Sequence, residues 1–216
     1  FIMCTEAQTE DFMSKYTYES ENKNYKTETY EWDDLWLEHT NDKDINRVLY
    51  IGDSISCGTR RIATEMSEGK YYFDGLGTSK AVDNPFFRQT VSLFAEQEKE
   101  RKLVIFNNGL HGFHLSSDEY AKYYEDIVKF LISEFPKTKI AIVLTNYITR
   151  KNDIEVVCER NEKALEIAKR YNMPVIDLYS VSKSNSDLIS DDGIHMLEDG
   201  YKKLAAEILR RIDEIL

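Results

Sequence analysis

The chain has 216 residues, which suits one α/β domain with a substantial core and leaves little for a second. Its 28 Lys and Arg stand against 39 Asp and Glu, a net charge of −11, so a phosphate backbone or an anionic membrane would be repelled over most of the surface. Nucleic acid and membrane are therefore set aside as partners, and no apolar run approaches the ~20 residues that span a bilayer.

Residues 1–43 read as an acidic, aromatic arm packed on a domain of residues 44–216. The alternation in YKTETYEW predicts a short strand or extended segment, and the many aromatics, among them Tyr16, Tyr18, Tyr25, Tyr30, Trp32 and Trp36, argue against a disordered tail. The two tryptophans are expected to pack the arm onto the domain; the functional alternative is an aromatic platform facing substrate. Cys4, Cys57 and Cys158 are widely spaced, without Cys-x-x-Cys, and so suggest neither a zinc site nor a disulfide framework. Reduced thiols favour a cytoplasmic setting, while a chain opening on Phe1 stays compatible with a removed leader.

Beyond the arm, short β-branched runs alternate with helical ones. Val48–Ile51, Leu103–Phe106, Ile140–Leu144 and Pro174–Ile176 read as strands of a sheet covered on both faces. Tyr120, Tyr123, Tyr124, Ile127, Phe130 and Leu131 have helical spacing behind a capping box of Ser116 and Glu119. Val157, Asn161, Ala164, Ala168 and Tyr171 mark another helix, and Tyr201, Leu204, Ala205, Ile208, Ile212 and Ile215 a last one. The glycine-rich segment Asp74–Ser79 reads as a turn. The order predicts an α/β fold: a single-domain, three-layer α/β/α sandwich around a doubly wound parallel sheet with right-handed crossovers.

The run VLYI ends abruptly at Gly52-Asp53-Ser54, which places a serine at the carboxyl end of a buried strand, where open α/β sheets keep their chemistry. Alone, Ser54 reads first as a helix N-cap. Asp192-Gly193-Ile194-His195 supplies the partners a serine nucleophile needs: His195 as base and Asp192, three residues earlier, to fix the ring. Asp191 competes for the second role. Donors for a developing oxyanion are sought in the turn containing Gly77 and in Asn107-Asn108-Gly109-Leu110-His111-Gly112, which follows a strand directly. His111 and His114 without a third convergent ligand do not make a metal site. Asn146 and Arg150, after IAIVLT, stand at another strand end and are read as a solvated loop with substrate contact as the alternative. His39, without an obvious partner, is read as structural.

GDS after the first strand, a polar glycine loop after a later strand and D-x-x-H before the last helix resemble the GDSL or SGNH hydrolase superfamily over residues 47–216. The resemblance implies a serine esterase that works without a cofactor through an acyl-enzyme, with Ser54 as nucleophile and Asp192 and His195 completing the triad. Its substrates would be small-molecule or carbohydrate esters of short acyl groups, acetyl foremost. It implies oxyanion donors in the Ser54 amide, a glycine amide and the Asn of G-x-N-D. Here Gly109-Leu110-His111-Gly112 puts His111 where that Asn is expected, as in a subgroup with N-x-G-L-H. His111 is taken as the donor with Asn108 as the alternative, and Gly77 as the backbone donor with Thr78 or Ser79 as alternatives. A non-catalytic binding module and an acyltransferase using the same residues are the rival readings.

Overall fold

The computed structural model of the chain describes residues 25–98 and 100–216. Cys4, Tyr16 and Tyr18 lie outside the described residues, as does the rest of the arm's first half. Six strands form one sheet: β1 (Asp33–Trp36), β2 (Arg47–Gly52), β3 (Tyr72–Thr78), β4 (Leu103–Phe106), β5 (Lys139–Val143) and β6 (Val175–Ile176). Their spatial order is β1-β3-β2-β4-β5-β6; β1 runs antiparallel to β3 and every other pair is parallel. Among the described residues six α-helices accompany them: α1 (Ser54–Met66), α2 (Phe86–Ala95), α3 (Ser117–Glu134), α4 (Ile154–Arg170), α5 (Leu178–Ser184) and α6 (Glu198–Ile215).

Alternate residues along each strand enter opposite layers. Leu49, Ile51, Val104, Phe106, Ile140 and Ile142 pack with apolar residues of α2, α3 and part of α4. Val48, Tyr50, Leu103, Ile105, Ala141 and Val143 pack with those of α1, α5 and α6. Both faces are thus apolar, so the central strands read as continuous hydrophobic runs, the pattern a doubly covered sheet requires. The capping box closes as its sequence suggests: the Ser116 amide donates to Glu119 Oε2 (3.0 Å) and the Glu119 amide to Ser116 Oγ (3.4 Å).

Two expectations change. The segment read as a turn at Asp74–Ser79 is largely strand β3, and the arm's strand is Asp33–Trp36, just beyond the alternating YKTETYEW, making the sheet's edge antiparallel. A fully buried carboxylate and two glycines hid β3. Asp74 accepts from Arg47 Nη1 (3.0 Å) and Arg101 Nε (3.2 Å), which makes its burial tolerable. At Gly77 a Cβ would come within 2.2 Å of Cys57 Sγ, so the strand lacks side chains there because α1 lies on it.

α1 also lies against α6. At Gly58, one turn past Ser54, a Cβ would fall 2.5 Å from the Tyr201 ring, so the two helices approach each other where no side chain intervenes. Among the described residues no helix is long and apolar enough to cross a membrane. Cys57 and Cys158 are free thiols.

Candidate active site

Strand β2 is flanked by β3 on one side and β4 on the other, so the chain leaves it in one direction and crosses back to the other. That switch point opens a crevice at the carboxyl ends of the strands. Ser54 stands there as the first residue of α1, a position whose amide the helix leaves without an intrahelical partner. Asp53 is the N-cap, accepting from the Ile55 amide at 2.9 Å, so the cap role open to Ser54 falls to its neighbour. Burial raises the Asp53 carboxyl above the usual range, against the pull of His111, the Ile55 amide and His195.

From the far end of the chain, a tight loop brings up the two partners. Ile189 and Met196 form a bridge, the Ser190 amide donates to the His195 carbonyl (2.7 Å), and the Leu197 amide to the Leu188 carbonyl (2.7 Å). Within it His195 Nδ1 lies 2.5 Å from Asp192 Oδ2 and Nε2 lies 2.7 Å from Ser54 Oγ. A carboxylate only accepts, so Nδ1 carries the ring proton and Nε2 is free to accept from the serine hydroxyl. Asp192 Oδ1 takes the Ile194 amide (2.8 Å), the His195 amide (2.9 Å) and Ser190 Oγ (2.8 Å). Burial opposes its charge, yet these bonds and the His195 ring outweigh it and hold the carboxyl well below the usual aspartate range. Asp191 is exposed, and the ring nitrogen it would have competed for is occupied by Asp192.

The loop after β4 supplies the third wall. Its carbonyls are taken from behind: Tyr120 Oη donates to Asn108 O (2.6 Å), and buried Arg160 donates to Gly109 O (3.0 Å), His111 O (2.7 Å) and Gly112 O (2.7 Å). The Arg160 guanidinium lies 4.5 Å from the Tyr120 ring centre and 4.9 Å from that of Phe113. Asn107 Nδ2 bonds Val143 O and Thr145 Oγ1, and Asn108 Nδ2 bonds Lys80 O (2.8 Å), so both asparagines tie the loop to its neighbours. His111 Nδ1 lies 2.8 Å from Glu28 Oε1, and its Nε2 is buried with no hydrogen-bond partner among the described residues. Trp32 meets the His111 ring edge-on at 6.2 Å and comes within 3.5 Å of a Cβ built at Gly77.

Several sequence readings move. Gly77 lies inside β3, paired with Gly52 and Asp34, and not in a loop open to substrate; the Thr78 alternative is likewise in the strand. The Ser79 amide, the remaining alternative, donates to Trp32 O (3.1 Å). Asn146 is buried and bonds Ile194 O (3.1 Å), bracing the D-x-x-H loop, while Arg150 is exposed beside Asp153. His114 pairs with Asp83 (2.9 Å), so it and His111 serve different carboxylates; no group of three metal-ligating side chains occurs among the described residues. His39 does have a partner, Asp42 at 2.8 Å. Trp36 sits exposed beneath Arg61, at 5.0 Å, while Trp32 alone of the pair reaches the crevice. Glu28, Arg160 and Tyr120 were not singled out from sequence as site residues. Their partners are respectively 83, 48–51 and 12 residues away, beyond any local pattern.

The fold is a three-layer α/β/α sandwich with a serine at the end of a strand. No family model matches the chain. Over 47 residues it is 43% identical to an acetylxylan esterase of Xylanibacter ruminicola, a stretch covering 22% of this chain and 10% of that protein, so the chain spans about a tenth of the curated relative it matches. It superposes on the crystal structure of an acetyl xylan esterase with a TM-score of 0.62 at 15% identity, over 77% of this chain and 99% of that one. A member of the lipolytic G-D-S-L family from Veillonella parvula gives a TM-score of 0.62 at 20% identity, over 76% and 96%. The chain has the fold of the GDSL/SGNH hydrolase superfamily.

Proposed function

We propose that the protein is a serine esterase acting on esters of small acyl groups, acetyl on a carbohydrate foremost. The observation that carries this reading is the continuous line of hydrogen bonds Ser54–His195–Asp192 at the carboxyl end of β2. An alcohol is a poor nucleophile until a base takes its proton, and a base is reliable only when its tautomer is fixed.

On this reading Ser54 Oγ attacks the ester carbonyl carbon as its proton passes to His195 Nε2. The carbonyl π pair moves onto oxygen, and the imidazolium so formed is stabilised by Asp192. Collapse breaks the bond to the alcohol, which leaves with the proton from His195. Water then repeats the sequence on the acyl-Ser54, His195 acting first as base and then as acid. The Ser54 amide and His111 are the proposed donors to the oxyanion. The acetyl and carbohydrate part of the proposal is supported by the acetylxylan esterase match and fold likeness.

The test compares p-nitrophenyl acetate, butyrate and octanoate with release of acetate from acetylated xylo-oligosaccharides, in wild type and Ser54→Ala. Wild type should favour acetate, and Ser54→Ala should lose on the order of 10⁶ in kcat while keeping its fold. Activity of Ser54→Ala within tenfold of wild type would refute the reading.

A further inference from the structure

The proposed oxyanion donor has a chemical difficulty. His111 Nδ1 faces the Glu28 carboxylate at 2.8 Å, and a carboxylate accepts only, so Nδ1 must hold a proton. In a neutral imidazole the other nitrogen then carries a lone pair. That nitrogen, Nε2, is the atom an oxyanion would meet, and a lone pair there would repel it.

We infer that Glu28 and His111 form a second carboxylate–imidazole dyad of the site, which holds His111 as an imidazolium whose Nε2–H is the oxyanion donor. The inference rests on the esterase reading. Nε2 is buried, yet it has no hydrogen-bond partner among the described residues, an arrangement that wastes a polar atom unless something binds to it. The two dyads have opposite tasks. His195 must be neutral to accept the Ser54 proton; His111 must be charged to have two protons, and in stabilising the oxyanion it donates a hydrogen bond and transfers nothing.

The groups around His111 come from three elements. Glu28 and Glu31 lie on the arm, where the Glu28 amide donates to Glu31 Oε1 (3.0 Å) and Ser79 Oγ to Glu31 Oε2 (3.2 Å). Asp53 caps α1 and interacts electrostatically with both His111 and His195. Arg160, from α4, holds the His111 carbonyl and counts against a second cation. Burial also opposes charging the ring, but the Glu28 bond, Asp53 and Glu31 outweigh it, and the pKa of His111 is raised above the ordinary histidine value. The cation is therefore present at low pH and lost as pH rises through the raised value. Activity should fall as pH rises and His111 loses its second proton.

Two measurements test this. In Ser54→Ala labelled with ¹⁵N-histidine, at neutral pH, both ring nitrogens of His111 should be protonated, its signals identified by their loss in Ser54→Ala/His111→Asn; a ring with one proton, on Nδ1, would overturn the inference. On p-nitrophenyl acetate the kcat/KM profile of wild type should have a descending alkaline limb. That limb should vanish in His111→Asn, whose amide donates at any pH, and in Glu28→Gln, whose amide N–H can satisfy Nδ1 and leave the proton on Nε2. Both should keep at least about a tenth of the plateau rate, against a loss of roughly 10²–10³ in His111→Ala. A descending limb that survives in His111→Asn overturns the charged donor. A wild type that hydrolyses no ester brings down the esterase reading and the donor role together. An active wild type with inactive Ser54→Ala and no descending limb brings down the charged donor alone.

Discussion

Each of the four histidines has a carboxylate against one ring nitrogen: His39 with Asp42, His111 with Glu28, His114 with Asp83 and His195 with Asp192. Pairing alone therefore does not mark a base; what distinguishes His195 is the serine on its second nitrogen. Asp192→Asn keeps the shape but offers an amide that can bond the wrong tautomer, so on the proposed reading it should cost on the order of 10⁴ in kcat, less than His195→Ala. Because Asp192 is held below the ordinary aspartate range, it stays ionised well into the acid range. At this scale the hydrogen-bonded line of Ser54, His195 and Asp192 was legible because Asp192 and His195 are three residues apart and Ser54 ends an apolar run. Glu28 was not, since an acidic residue among many on an arm carries no mark of the loop it will meet.

The elements were legible where apolar period and caps agree. α3 announced itself through Ser116, Glu119 and its stripe, and β4 through LVIF, whereas β3 was misread because its glycines and Asp74 belong to contacts made from elsewhere. Those contacts make predictions. Gly77→Ala should destabilise by about 1–3 kcal/mol by overpacking against Cys57, and Gly77→Ala/Cys57→Ala should recover part of it, read as the urea midpoint. Arg160→Met leaves the Gly109, His111 and Gly112 carbonyls without their buried donor, each unsatisfied acceptor costing about 1–3 kcal/mol. The same change should depress kcat more than it raises KM, because the loop it holds carries His111. An unchanged urea midpoint would show that water replaces the guanidinium.

For the whole molecule, the arm divides into two parts with different work. Asp33–Trp36 closes the sheet, and its charges are tied inward, Asp33 to Lys80 (2.6 Å) and Asp34 to Arg60 (2.8 Å), which leaves a short, charged edge poorly suited to pairing with another chain. Residues 25–32 lean instead over the crevice. Removal of the arm through Trp36 should expose β3 and lower solubility, measured by light scattering.

Gly58 and Tyr201 give the active site its gauge. Asp192 and His195 sit together in a loop closed by its own hydrogen bonds, so their spacing is set locally, whereas Ser54 arrives on a separate rod. The one length left to fix is the gap between those two bodies, and it is set one turn beyond Ser54, where bare backbone meets an aromatic ring. A single methyl at Gly58 would act as a shim: it should widen the 2.7 Å contact between Ser54 and His195 and, on the proposed esterase reading, slow acylation, while leaving the loop, the sheet and both histidine–carboxylate pairs as they were.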